Sequence, residues 1–380
     1  MTENVATACM GGPEAYRAQL VTRPFPGRPS EVVADLKVAA CTWSRKKDEI
    51  SKATVSVPAN ADCCGVVSLL STAYSELLFE LHIYRDPDGL VWAGRLLEIS
   101  EDPSLSSETE TVEFTAEGLL GWSNHRVFAV PMPYMGGGPG TPNWVSTELT
   151  TIWVDWWNYL MSKDDPDVGL ISSPTGITGS RSVVLSEAAV GWTVLKDLID
   201  AGVEVTEYGR VLLVGDLSQL VPRLGAVTEE WFSDPPETRV TSETQANRVY
   251  ATGGAGVLGV FGGPETTSGL LLETGVSDTT ATDVASANER AENEVELRAQ
   301  AIAFVEGTNG ISPDAPVSIQ ALIPGARASV SLTNRCVAIS EDMELTSVEV
   351  TYAPTNDSTE NIENVSVTFE PYGVVTEVAP

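Results

Sequence analysis

Two alternating runs set against a four-residue turn constrain this chain more than any other feature. In residues 77–84, Phe79, Leu81 and Ile83 share one face while Glu80, His82 and Tyr84 share the other, and Asp86-Pro87-Asp88-Gly89 then leads into a second run at 90–99. Period-two alternation around turn residues predicts a half-buried antiparallel hairpin. Runs rich in Val, Ile, Leu and aromatics at 32–40, 53–57 and 110–115 predict further strands, and one short helix is expected at 62–73. A small closed or nearly closed barrel would remove the exposed edges of such a sheet.

The pattern changes after residue 125. Residues 131–142 (PMPYMGGGPGTP) read as a loop. A helix is predicted at 147–161, with Leu149, Ile152, Trp153, Trp156 and Leu160 at helical spacing. A second is predicted at 187–201, with Ser186 as N-cap, Ala188, Trp192, Leu195 and Ile199 as its stripe, and Gly202 just past its end. A hairpin follows, 203–207 and 210–214 around Tyr208-Gly209. Strands return at 248–252, 270–273, 317–323, 328–332, 345–352 and 365–370. They are interrupted by a helix at 287–306, with a capping box at Ser286–Glu289 and a stripe of Ala287, Ala291, Val295, Ala299 and Ile302. The expected fold class is mainly β with α, an α+β chain. It comprises a first β-barrel domain at 1–125, an inserted α/β domain at 126–238 and a second β-barrel domain with one helix at 239–380. No strict sequence repeat relates the two halves.

A chain of 380 residues exceeds one ordinary core. Its net charge is −31, yet residues 1–60 hold eight Lys/Arg against six Asp/Glu, so the acid lies in the rest. Such a surface repels nucleic-acid phosphates and anionic membranes. It serves plain solubility, or it forms a wall that DNA passes without sticking. No run approaches the length of a membrane-spanning helix, and the N-terminus has no apolar signal core, so folding in a cytoplasm is expected. Five cysteines (Cys9, Cys41, Cys63, Cys64, Cys336) lack metal-ligand spacing and read as free, mostly buried thiols.

Catalytic chemistry finds little support. His82 is placed on the polar face of a strand and His125 beside Trp122 and Arg126, neither with a nucleophile nearby in sequence. Gly254-Ala255-Gly256-Val257-Leu258-Gly259 follows a strand and has Glu273 beyond it. Dinucleotide binding also needs a helix at once, and Val260-Phe261-Gly262-Gly263-Pro264 breaks helices. Asp164-Asp165-Pro166-Asp167 lacks the spacing of a calcium loop and reads as an exposed acidic turn. Trp144, Trp153, Trp156 and Trp157 are either core or subunit contact, or a platform on which sugars stack. No catalytic, cofactor-binding or metal-ligating residue is assigned, and no enzyme activity is expected.

The order Thr42-Trp43-Ser44-Arg45, Glu49–Val55, Cys63, Leu81–Asp86 and Val91–Gly94 resembles the first barrel of tail-tip hub (minor tail) proteins of long-tailed bacteriophages, especially those infecting actinobacteria. Leu195–Leu198, Gly202–Val205 and Gly209–Leu212 are similar to their helix and hairpin. Asn247–Gly253 resembles the opening of their second barrel, and Pro324–Ala328 a later strand entry. The resemblance implies a structural virion protein without catalytic residues, related to the baseplate hub of contractile-tailed phages and assembled in the host cytoplasm. It implies a homotrimer whose six barrels meet a hexameric ring, with distal tail or tail tube, tape measure and other minor tail proteins as partners and DNA only in passing. A hexameric distal tail ring and a virion-associated glycan-binding or glycan-hydrolysing protein are the competing readings.

Overall fold

In a computed structural model, the structure describes residues 15–22, 30–59, 79–102, 111–128, 143–162, 167–182, 189–241, 245–262, 271–278, 280–298, 302–307, 310–312, 314–333, 338–354 and 361–372. The helix expected at 62–73 lies outside them.

The first half contributes β1 (Tyr16–Thr22), β2 (Val32–Leu36), β3 (Ala40–Lys46), β4 (Lys52–Pro58), β5 (Phe79–Arg85), β6 (Gly89–Asp102) and β7 (Thr111–Gly118). Alternation directs Tyr16, Ala18 and Leu20, then Trp43, then Val55 and Val57, then Val112 and Phe114 to one side, where they share a core. Each fully buried aliphatic or aromatic side chain contributes about 1.5–3 kcal/mol there. The hairpin predicted around residues 86–89 is present as β5 and β6, Arg85 facing Gly89. Its half-buried character is corrected, because Phe79 through Ile83 are buried on both faces. The second face is covered because Arg210, in the turn of a later hairpin, reaches Glu80 at 2.8 Å.

The middle segment holds β8 (Val127–Phe128), β9 (Asn143–Glu148), α1 (Leu149–Met161), β10 (Gly169–Ser173), β11 (Thr178–Ser182), β12 (Ala189–Val190), α2 (Gly191–Asp200), β13 (Glu204–Tyr208), β14 (Val211–Gly215) and α3 (Leu217–Leu220). Both predicted helices start later than their periodicity suggested, because the residues before them pair as strands, β9 with β11 and β12 with β8. The cap of α1 is Glu148, which accepts the Thr151 N–H at 2.8 Å. Val190 occupies the N-cap of α2 without a side-chain bond, and Ser186 lies outside the described residues. Gly202, at φ 111°, does follow α2 in the left-handed region.

The last segment comprises β15 (Gly225–Val227), β16 (Glu237–Thr241), β17 (Arg248–Gly253), β18 (Leu258–Gly262), β19 (Glu273–Asp278), α4 (Val284–Arg298), β20 (Ile302–Glu306), β21 (Arg327–Thr333), β22 (Ala338–Pro354) and β23 (Asn361–Pro371). The helix expected at 287–306 is shorter at its end, since residues 302–306 form β20 against β16. Its capping box is also corrected. Asp283 accepts the Ser286 N–H at 2.8 Å and starts the helix earlier. The strand expected at 317–323 is not formed, and a 3₁₀ turn, Ile319–Ala321, capped by Ser318, stands in its place, while that expected at 270–273 begins only at Glu273.

Strands of both halves join one 13-stranded sheet with the path β16-β20-β23-β22-β3-β4-β7-β6-β5-β1-β2, while β15 pairs β21 and β21 pairs β22. Among the described residues this path is open, so the expected closed barrels are not seen. A repeat in strand order is visible instead. The meander β5-β6-β7 matches β21-β22-β23, and the flanking order β3-β4-β7-β6-β5-β1 matches β16-β20-β23-β22-β21-β15. In each copy the long central strand shifts register midway, between Leu96 and Glu98 against β7 and between Leu345 and Ser347 against β23. The copies differ at the outer strand, where β1 runs antiparallel to β5 but β15 parallel to β21.

Candidate functional site

The two halves meet where β3 pairs antiparallel with β22, from Lys46↔Ser347 to Cys41↔Tyr352. On one face of this seam Cys41, Trp43, Arg45, Val348, Val350 and Tyr352 are buried. Burial pushes the free Cys41 thiol up to about 12, so it is unreactive near neutrality. The other face carries a shallow groove of about 370 Å³ lined by Thr42, Ser44, Lys46, Glu49, Lys52 and Glu349.

Charged groups bind the seam to the middle segment. The Arg45 guanidinium donates to the carbonyls of Val91 at 2.6 Å and of Ile319 and Leu322 at 3.3 Å, and lies over the Trp43 and Tyr208 rings. Desolvation lowers its pKa to about 10. Lys47 Nζ reaches Glu204 at 2.6 Å on β13 and Glu344 at 2.5 Å on β22. Burial by itself would lower the Lys47 pKa, but Asp48, Glu204 and Glu344 outweigh it and hold the ammonium charged. Asp48, at φ 60°, turns the chain so that its carboxylate accepts the Val205 N–H at 2.7 Å. Desolvation raises its carboxyl to about 7 against the pull of Lys47.

Further polar ties hold the first half to both other parts. Glu363 on β23 accepts Tyr16 Oη at 2.5 Å and Arg85 Nε and Nη2 at 2.8 Å each. Glu80 accepts from Arg210 and lies 2.9 Å from His82 Nε2. Glu207 accepts the Leu120 N–H at 2.7 Å and a hydrogen bond from Ser51 Oγ. A Cβ on Gly118 would lie 2.0 Å from Glu207 Oε2, so only glycine admits the carboxyl there. Ser51 and Glu207 form a nucleophile–base pair on paper, but both are buried, with relative exposures of 1% and 4%. Their hydrogen bonds tie the start of β4 and the segment after β7 to β13.

Desolvation raises the Glu207 carboxyl to about 7. The folded chain therefore keeps this proton in a pH range where the unfolded chain has lost it. The resulting stabilisation is full below the ordinary glutamate value and disappears as pH rises through about 7. Glu207→Gln keeps an acceptor for Leu120 without the titration. Relative to this variant, the parent is expected to lose about 2 kcal/mol between pH 4.5 and 8, read from urea unfolding at each pH. Parallel pH profiles for the two proteins would remove Glu207 as the source.

The sequence-singled residues fall apart in space. His82 is only 7% exposed, which corrects its placement on a polar face. His125 contacts Glu117 at 2.8 Å. After Gly254–Gly256 comes strand β18, not a helix, so no helix N-terminus gathers N–H groups for a pyrophosphate. Gly259 serves packing, since a Cβ there would lie 2.3 Å from the Ala287 carbonyl carbon of α4. Asp164, Asp165 and Pro166 lie outside the described residues, within which no acid, His or Cys cluster suits a metal. Trp144, Trp153, Trp156 and Trp157 are buried in the core between α1, α2 and the β13–β14 hairpin, so they offer no platform to a sugar. The charged junction was missed. Its one sequence signal is the run Arg45-Lys46-Lys47-Asp48-Glu49 between two strands.

No protein-family model matches the sequence, and no curated protein matches it. Solved structures do match. A tail protein from Neisseria meningitidis MC58 aligns with TM-score 0.58 at 10% identity, covering 94% of this chain and 97% of that one. The prophage MuSo2 tail protein from Shewanella oneidensis aligns with TM-score 0.57 at 11% identity, covering 92% and 97%. This chain has a phage tail-protein fold. The prophage tail protein gp18 from Listeria monocytogenes EGD-e also aligns, with TM-score 0.54, 12% identity and coverage of 94% and 95%. These alignments run over nearly the whole of each chain and so take in both halves and the middle segment. No helix among the described residues is long and apolar enough to cross a membrane.

Proposed function

We propose that this chain is a non-enzymatic structural protein of a phage tail tip, a hub that closes the tail tube. The observation carrying this reading is the repeat of strand order within a tail-protein fold. Each chain brings two equivalent β units, so three chains in a ring present six to a sixfold tube above and threefold symmetry below. The units stand for the two expected tube-type β domains, the first at residues 1–125 and the second, expected at 239–380, extended back to Gly225 to include β15, which pairs β21. The middle segment, held to the units through Glu204 and Glu207, faces neighbouring tip proteins. The acidic balance of the chain supports a lumen wall along which DNA slides without adhering.

Native mass measurement of the purified protein is expected to give a trimer, and electron microscopy of the assembled particle a threefold ring on the tail axis. A hexamer would transfer the protein to the distal tail ring, and density away from the axis would end the hub reading altogether.

A further inference from the structure

The strand-order repeat leaves two edges whose counterparts are sealed within the chain. In the sealed copy, β3 pairs residues Ser347–Tyr352 of β22 along the edge that β21 occupies further back. The counterpart of β3 is β16, which ends the strand path beyond β20. The counterpart of Ser347–Thr351 is Glu98–Asp102 of β6, just past the matching register shift. There β7 lies on one side and no strand among the described residues lies on the other.

We propose that β16 of one copy of this chain pairs antiparallel with residues 98–102 of β6 in the next copy, repeating between chains the seam that β3 and β22 form within one. The register follows from the repeat. Val305 faces Phe369 and Ala53 faces Ala116, and Phe369 and Ala116 occupy the same place before the two shifts. Thr238, facing Val305, thereby stands where Trp43 stands, facing Ala53. Since Trp43 meets Val350, two residues before the end of the sealed seam, Thr238 meets Glu101. The pairs are then Thr241 with Glu98, Val240 with Ile99, Arg239 with Ser100, Thr238 with Glu101 and Glu237 with Asp102.

The occupant is a second copy because the same fold already makes this contact once, and a head-to-tail contact whose rotation closes builds the ring proposed above. Charge bears on it in both directions. Arg239, 57% exposed at its side chain and 3.5 Å from Glu306, comes diagonal to the exposed Glu98, within reach for a cross-strand pair, while Glu237 and Asp102 place like charges directly opposite one another. Closure would also remove two strand edges that otherwise invite indiscriminate pairing. This inference rests on the ring reading above and adds which strands meet, and in what register.

The test is oxidative cross-linking of full-length Ser100→Cys/Arg239→Cys alongside native mass measurement. Directly opposed strand residues have Cα separations that a disulfide spans. Disulfide-linked species ending at three chains are expected at roughly tenfold the yield of either single variant. A second pair guards against misfolding. Glu98→Lys and Arg239→Glu are each expected to weaken the oligomer at low salt, where charge is least screened, and the double exchange to restore it. A trimer that cross-links no better than the single variants, and that ignores the charge exchange, overturns this seam and leaves the hub standing. A monomer at every concentration, or a hexamer, overturns the trimeric hub and with it the seam argued from it.

Discussion

Trp156→Ala is expected to destabilise the middle segment by about 3–5 kcal/mol, the usual cost of a large-to-small change in a close-packed core. Trp156 is fully buried and meets Trp144 edge-on at 5.3 Å and Phe128 at 5.9 Å. Trp153 and Trp157 stack beside it at 5.5 Å, so little in this aromatic cluster can collapse into the vacated space. The Trp156 indole N–H has no hydrogen-bond partner among the described residues. Trp156→Phe therefore loses volume but also relieves an unsatisfied donor, and is expected to cost about 1 kcal/mol. The urea midpoint of the near-ultraviolet circular dichroism reads both. Equal midpoints for the alanine variant and the parent would mean the cluster is not the core of this segment.

Lys47→Met is expected to cost about 3–5 kcal/mol, because breaking a buried ion pair strands charge in a poorly solvated place. The lysine is held between Glu204 and Glu344, whose side chains are 20% and 7% exposed. Burial and Glu204 already push the Glu344 carboxyl up, and Lys47 opposes them. Without the ammonium the Glu344 carboxyl rises further, and a raised acid favours the fold only while protonated. The variant should therefore approach the parent at pH 5 and fall furthest behind at pH 8, measured by urea unfolding. Glu344→Gln in the same chain should recover part of the loss, since the two sites share one network. A loss independent of pH would show that methionine packs badly and that the charge is irrelevant.

Much of this was legible in the residues. The alternation in 77–99 identified the hairpin of β5 and β6, and the apolar stripes of 147–161 and 187–201 identified α1 and α2 to within a few residues. Element ends were read less well where two local signals compete. Ile302 to Glu306 continue a helical stripe, yet their β-branched and aromatic residues pair with β16. The resemblance to tail proteins rested on strand-and-turn patterns, and the solved tail proteins bear it out at the level of the fold.

By itself the sequence determined which segments can be strand or helix and which face of each seeks burial, because those follow from periods of 2 and 3.6 residues and from neighbouring turn chemistry. It also pointed away from a helix after Gly259, where the chain runs as β18. Only the tertiary structure decided that β3 meets β22 from the far end of the chain, that β5 is covered on both faces, and that Lys47 lies between two carboxylates. It alone revealed the repeat of strand order. Pairing needs only backbone groups and alternation, so two copies of one topology can form with no shared residues, and the partner of an edge is set by what the rest of the chain brings beside it.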